Sequence, residues 1–237
     1  MHADAQILGD EVPHWQPAPF PSKAAMHGQY SDVLPLDVTQ HTADLFKANS
    51  LNVNNSIWTY LPYGPFGTFE SYQAWMQNFC VHQAPLFFVI SNKSQVLGLA
   101  SYLGVDTKNG VVEIGHLAFS PVLQRTTAAT EALYLMIEHA FDLGYRRVEW
   151  KCNALNEPSR NAALRLGFSF EGVLRQTGIV KGRNRDTAWY SILDKEWPIL
   201  KNAFKQWLDP LNFDANGIQK MSLSQLTIEC HQHLTTM

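Results

Sequence analysis

Two residues on one short stretch, Glu113 and His116, are of the types that take up and release protons. The imidazole has the better intrinsic pKa for accepting a proton near neutrality, whereas the carboxyl needs burial to raise its own. Downstream, Gln124-Arg125-Thr126-Thr127-Ala128-Ala129-Thr130 leads from a turn at Pro121 into a run of apolar residues at helical spacing. A helix start offers unpaired backbone N–H groups and a partial positive charge, the chemistry of an anion seat. The small side chains of Ala128 and Ala129 leave room for a diphosphate, and Arg125 can add charge. A third cluster, Asn153-Ala154-Leu155-Asn156-Glu157-Pro158-Ser159, carries polar side chains that can cap a short helix. Tyr190 adds a phenol on a late strand. Cys152 has no His or Asp beside it in a recognisable motif, which reads as a packing thiol and not a nucleophile.

The elements that must position these groups follow from apolar periodicity. Leu86 to Ile90, Val96 to Val105 and Val111 to Phe119 form a three-stranded meander with turns at Ser91-Asn92-Lys93-Ser94 and Asp106 to Gly110. On the third strand Glu113 and His116 are three apart, so simple alternation sends them to opposite faces. Ala128 to Leu143 is a helix, with Gly144 at the expected left-handed C-cap. Arg147 to Cys152 is a strand and Ser159 to Leu166 a short helix. Phe168 to Arg175 and Asp186 to Leu193 are strands around the basic turn Lys181 to Arg185, which either steers an acidic substrate or solvates a hairpin, the second being the reading taken. Two helices precede the meander, over 37–49 and from Thr68 to Phe79, flanking an aromatic loop with Trp58, Tyr60, Tyr63 and Phe66. Glu196 to Trp207 is a final helix, and the last twenty residues have weak helical character. Three parts result: an arm over 1–35 that packs through Trp15 and Phe20, a core domain over 36–195, and a helical extension over 196–237.

With 237 residues, 46% of them hydrophobic, the chain has ample material for a core, which excludes general disorder. A formal net charge of −3 excludes the basic footprint of a nucleic-acid binder. Cys80, Cys152 and Cys230 are too few and too far apart for a disulfide framework or a zinc site, so reduced thiols in a cytoplasm and no metal are expected. The N-terminal residues do not read as a secretory signal, and no apolar run is long enough for a membrane span.

The order of strand, loop, long helix, strand, Asn-rich turn, short helix and Gly-Phe over residues 113–172 resembles the acetyl-CoA-binding core of the GNAT N-acetyltransferases. The resemblance is strongest to their ribosomal-protein N-terminal (RimJ/RimL-like) branch. Members carry Gln/Arg-x-x-Gly-x-Gly/Ala before the long helix; here Gln124 and Ala129 fit the ends and Thr127 replaces the central glycine. The Asn-x-x-Ser and Gly-Phe…Glu-Gly elements match Asn156, Ser159, Gly167, Phe168, Glu171 and Gly172.

The resemblance implies an α/β fold with a mixed, mostly antiparallel sheet and one splayed parallel strand pair. Acetyl-CoA would then lie in the splay, its pantetheine pairing with backbone at Leu117, Ala118 and Phe119. Its diphosphate would rest on residues 124–130, and Asn156 would bond the pantetheine arm. Ser159, or more weakly Tyr190, would protonate the leaving thiolate, and Glu113 or His116 would serve the amine as base. The reaction implied is direct acetyl transfer to a primary amine, with no nucleic-acid or membrane partner and with a homodimer left open. The glycine replaced by Thr127 motivates an alternative, a non-catalytic acyl-CoA-binding module. A nucleotide-binding domain lacks its phosphate-loop signatures here.

Overall fold

One eight-stranded sheet organises the computed structural model, which describes residues 7–235. Its strands are β1 (Met26–His27), β2 (Asp32–Pro35), β3 (Leu86–Ser91), β4 (Val96–Asp106), β5 (Val111–Phe119), β6 (Arg147–Asn153), β7 (Ser169–Val180) and β8 (Arg183–Leu193). They lie in the order β1-β2-β3-β4-β5-β6-β8-β7. Every pair is antiparallel except β5 with β6, which run parallel. This is the mixed sheet expected from the sequence. Residues 26–35 join it as two strands.

Helices cover the two faces unequally. α1 (Val38–Ser50) and α2 (Phe69–Phe79) pack on one face through Leu45, Tyr72 and Met76, against Phe87, Val89, Leu99 and Ala118. Asp37 caps α1, accepting from the backbone N–H of Thr39 and Gln40, and Thr68 with Ser71 forms a capping box on α2. Residues 51–67 between these helices are mostly loop, with one 3-10 turn over Ser56–Trp58. On the other face α3 (Thr127–Asp142) lies with α4 (Glu157–Arg165), α5 (Trp197–Leu208) and α6 (Leu223–Thr235). Gly144 follows α3 at φ +88° and Gly167 follows α4 at φ +87°, the left-handed geometry that ends helices and favours glycine.

The C-terminal residues are better ordered than their weak periodicity suggests. Leu223, Leu226, Thr227 and Cys230 of α6 are buried against α5 and α4. β7 also runs five residues beyond the expected Arg175, reaching a tight turn at Lys181 and Gly182. An irregularity at Gln176 (φ +52°) lets it stay paired with β8.

The N-terminal segment is fastened by charge. The Glu131 carboxylate, on α3 and 4% exposed, accepts from the backbone N–H groups of Gln29, Tyr30 and Ser31 and from the Ser31 hydroxyl. Trp15 donates its indole N–H to the Lys108 carbonyl and lies under Arg146.

Candidate active site

The ladder between β5 and β6 holds for three residue pairs, Val111 with Arg147, Val112 with Val148 and Glu113 with Glu149, and then stops. Both strands continue, β5 to Phe119 on the ladder with β4 and β6 to Asn153 on the ladder with β8. The result is a wedge whose β5 wall is Gly115 to Phe119, with no strand partner on the β6 side. An extended chain of amides could pair there as a short extra strand does. Leu117, Ala118 and Phe119, expected to meet the pantetheine, lie on this wall.

At the wide end of the wedge α3 begins. Thr126 caps it, accepting from the Ala129 N–H through its hydroxyl, and the Thr130 N–H bonds the Thr126 carbonyl. The Thr126 N–H is used by Leu123, which leaves Arg125, Thr127 and Ala128 with no recorded backbone acceptor among the described residues. Thr127 is the first helical residue and its φ is not positive; the left-handed residue of this loop is Arg125, at φ +61°. The conformational reason for a glycine at position 127 is therefore absent here. Gln124 donates its side-chain amide to the Phe119 carbonyl, tying the loop to the end of β5.

Beyond this seat runs a groove of about 840 Å³. Gln124 to Thr127, Ala129 and Thr130 form one wall and α4 another, through Pro158, Asn161, Ala162 and Arg165. The C-terminal segment closes it with Trp207, Phe213 and Gln219, which sequence reasoning did not connect with the site. Pro158, Asn161, Ala162 and Arg165 share one face of α4 by helical spacing, a signal that was available. Arg165 donates to the Thr130 hydroxyl at 3.0 Å and lies over the Trp207 ring, linking the three walls.

Asn156 is the N-cap of α4, its side-chain oxygen accepting from the Ser159 N–H. Ser159 Oγ accepts from the Trp150 indole at 3.0 Å, so its own proton is directed elsewhere. Cys152 lies close by and is buried, and burial pushes its thiol up. Tyr190 is on the same face of the sheet, 1% exposed, and its hydroxyl accepts from Arg160 Nε at 3.1 Å. Arg160 also donates to the Ala154 carbonyl.

Glu113 and His116 do not point to opposite faces. The β4–β5 register shifts between Leu99 opposite Ala118 and Ser101 opposite Gly115, which puts an extra residue in β5, and His116 takes φ +52°. This β-bulge cancels the alternation. Val112 and Ile114 face α3, whereas Glu113 bonds Lys151 and His116 packs among Tyr63, Phe79 and Phe87 on the face of α1 and α2.

The environments of the two groups also invert their expected rank as bases. Burial, with a smaller contribution from the nearby Arg185, pushes His116 down to about 4, so its ring is neutral at pH 7. Tyr63 Oη lies 3.0 Å from His116 Nδ1, and the two rings stack. Burial raises the Glu113 carboxyl, against the pull of Lys151, whose Nζ lies 3.1 Å away. Lys151 also pairs with Glu149 at 2.7 Å and sits over the Trp189 ring. The aromatic loop closes over this side. The Tyr60 hydroxyl donates to the Leu155 carbonyl and Lys181 Nζ to the Trp58 carbonyl.

A parallel pair that parts after three rungs, a helix start with open amides beside it and a groove leading away define the acyl-CoA-binding class of α/β fold. The acetyltransferase (GNAT) domain family matches residues 35–169, more than half of the chain, and the chain belongs to it. A crystal structure of a GCN5-related N-acetyltransferase from Brucella melitensis is 42% identical, covering 92% of this chain and 100% of that one, with a TM-score of 0.89. A probable GNAT acetyltransferase from Chromobacterium violaceum is 39% identical over 82% of this chain and 98% of its own, with a TM-score of 0.76. The ribosomal-protein-serine acetyltransferase of Escherichia coli K12 is 30% identical over 111 residues, 46% of this chain and 62% of that protein. The match thus spans about three fifths of that curated relative. Among the described residues no helix is long and apolar enough to cross a membrane, and no group of three or more His, Cys, Asp or Glu could hold a metal.

Proposed function

We propose that this protein is an acetyl-CoA-dependent N-acetyltransferase that passes the acetyl group to a primary amine by direct attack, with both substrates bound. The observation that carries the reading is the unpaired β5 wall of the wedge, contiguous with the open amides of Arg125, Thr127 and Ala128. In it the pantetheine runs along Leu117 to Phe119 and the diphosphate rests before Ala128. The adenosine end occupies the groove toward Arg165 and Trp207.

The acceptor comes from the face of His116 and Glu113. Its ammonium proton leaves through water to Glu113, whose raised pKa gives it more basicity than an exposed carboxylate. A neutral imidazole near pKa 4 is a poor proton store, so His116 and Tyr63 orient the amine and shape the pocket. Nitrogen bonds to the thioester carbon, and a backbone N–H on Leu117 to Phe119 holds the oxyanion. The C–S bond then breaks: the Ser159 hydroxyl gives its proton to the thiolate and regains one, through water, from the former amine nitrogen, which leaves a neutral amide. Each hydroxyl accepts one hydrogen bond, Ser159 from Trp150 and Tyr190 from Arg160, and Ser159 is taken ahead of Tyr190 on the family resemblance of its position. The ordinary φ of Thr127 removes the dihedral part of the motive for the non-catalytic reading and so supports the catalytic one.

The test is release of free thiol from acetyl-CoA with a panel of small amines and N-terminal peptides. Amine-dependent release with acetylated product in the mass spectrum is expected. Tight binding of acetyl-CoA with no release for any acceptor would overturn the reading.

A further inference from the structure

Arg185 lies on β8 two residues before Thr187, which pairs with Asn153, the last residue of β6. It therefore stands where the wedge opens. Regular alternation along β8 sends Ala188, Tyr190 and Ile192 to the α3 face and Arg185, Thr187 and Trp189 to the acceptor face. Its Nε donates to Thr187 Oγ1 at 3.3 Å, and Thr187 Oγ1 is itself 2.7 Å from Thr177 Oγ1. This fixes the guanidinium by one edge.

The side chain is half-buried, yet no carboxylate lies within ion-pair distance of it among the described residues. Its cationic neighbours on the same face are saturated. Arg147 holds Glu149 and Glu171, and Lys151 holds Glu113 and Glu149. Lys181 at the hairpin tip is used by the Trp58 carbonyl. The charge of Arg185 is felt at Glu113 and His116 on β5 and at Cys152 on β6. The hairpin thus presents one cation toward the wedge, which favours, for Arg185, the steering reading of the basic turn over the solvated one. A partly desolvated guanidinium without a counter-ion is costly, and its planar fork fits a carboxylate with two parallel bonds.

We infer that the acceptor is a primary amine carrying a carboxylate close to its nitrogen, and that Arg185 receives that carboxylate. The inference rests on the N-acetyltransferase reading and narrows its substrate class. With the carboxylate on Arg185, the amine is held toward the thioester end of the wedge, between Glu113 and the rings of Tyr63 and His116. A diamine would meet Arg185 as a like charge and is disfavoured. The shared chemistry has two sources, a free amino acid and a peptide with an acidic residue near its N-terminus.

The test uses the full chain and matched acceptors: an amino acid against its carboxamide, and a peptide with Asp at the second position against the same peptide with Asn. Wild type should prefer the carboxylate member of one pair by about tenfold or more in kcat/KM, as expected for a charged hydrogen bond. The responding pair identifies the source. In R185Q the preference should fall to near one, chiefly through a raised KM for the carboxylate acceptor, and R185K should keep part of it. Equal use of both members of each pair by wild type would overturn the inference while leaving the acetyltransferase reading intact. So would R185Q slowing both members alike, which would assign Arg185 to the thioester end instead. Binding of acetyl-CoA with no turnover of any amine would bring down the broader reading and this one with it.

Discussion

At Asn156 and Ser159 a structural and a chemical task coincide, and substitution separates them. Asn156→Ala removes the cap of α4 and should cost about 1 kcal/mol of stability. If the side chain also bonds pantetheine, coenzyme A affinity should weaken by a further 0.5–1.5 kcal/mol, roughly 2- to 10-fold by calorimetry. Asn156→Asp keeps an acceptor for the Ser159 N–H, so it should restore the melting temperature without fully restoring affinity. Ser159→Ala should lower kcat by about a hundredfold with little change in acetyl-CoA affinity, the pattern of a lost proton donor. Equal loss in both would assign Ser159 to binding. His116 makes a prediction in pH. Its folded pKa, near 4, is below the ordinary value of 6.5, so between those values the unfolded chain binds more protons. Stability should therefore fall as pH drops from about 6.5 towards 4, by up to about 3 kcal/mol from this residue. His116→Phe should flatten that part of a melting-temperature profile.

At the scale of elements, the loop before α3 offers a test in which stability and binding move in opposite directions. Arg125 has φ +61°, a strain of roughly 1 kcal/mol for a residue with a Cβ. Arg125→Gly should raise thermal stability slightly and weaken coenzyme A binding, because relief of strain comes with loss of a phosphate-side charge. Binding that is unchanged would mean the open amides suffice. Elements with clear apolar spacing were legible in the sequence: α1, with Asp37 or Thr39 as cap, α2, with Thr68 or Ser71, the meander of β3 to β5, and α3, read from Ala128 and found to begin one residue earlier with Thr126 as a cap the periodicity did not give. The cap role of Asn156 was legible too, since that task is local, whereas the cofactor roles proposed for the loop, Asn156 and Ser159 rest on the family resemblance and not on local spacing. The bulge at His116 was not, because counting by twos assumes a regular strand, and one left-handed residue moved the imidazole to the side of Glu113. The second half of β7 was hidden too. Arg175 to Gly178 has no apolar alternation; there the ladder with β8 is interrupted, and the Gln176 N–H on Asp186 Oδ1 and the Thr177 hydroxyl on the Arg185 carbonyl carry the strand across the gap. The groove walls at Trp207, Phe213 and Gln219 arise from packing across the whole chain, which periodicity does not report.

At the scale of the molecule, the two ends of the chain brace the site. Glu131 holds three backbone N–H groups of residues 29–31 on the same helix whose start forms the anion seat. Glu131→Ala would leave those donors without their acceptor, the buried one on Ser31 with no recourse to water, at a cost on the order of 3 kcal/mol. The chain should then melt earlier with the N-terminal strands exchanging amide hydrogens first. The sheet itself acts as a partition, opened between β5 and β6 by the wedge. The coenzyme groove opens on the α3 side, and Glu113, His116 and Arg185 stand on the α1 and α2 side. In the proposed reaction, traffic through the two doors is therefore independent: the thioester would not bar the amine from entering, and the acetylated product would not wait for the spent carrier to depart. Initial-rate plots against one substrate at several concentrations of the other should intersect, and parallel lines would require the acetyl group to pause on the protein.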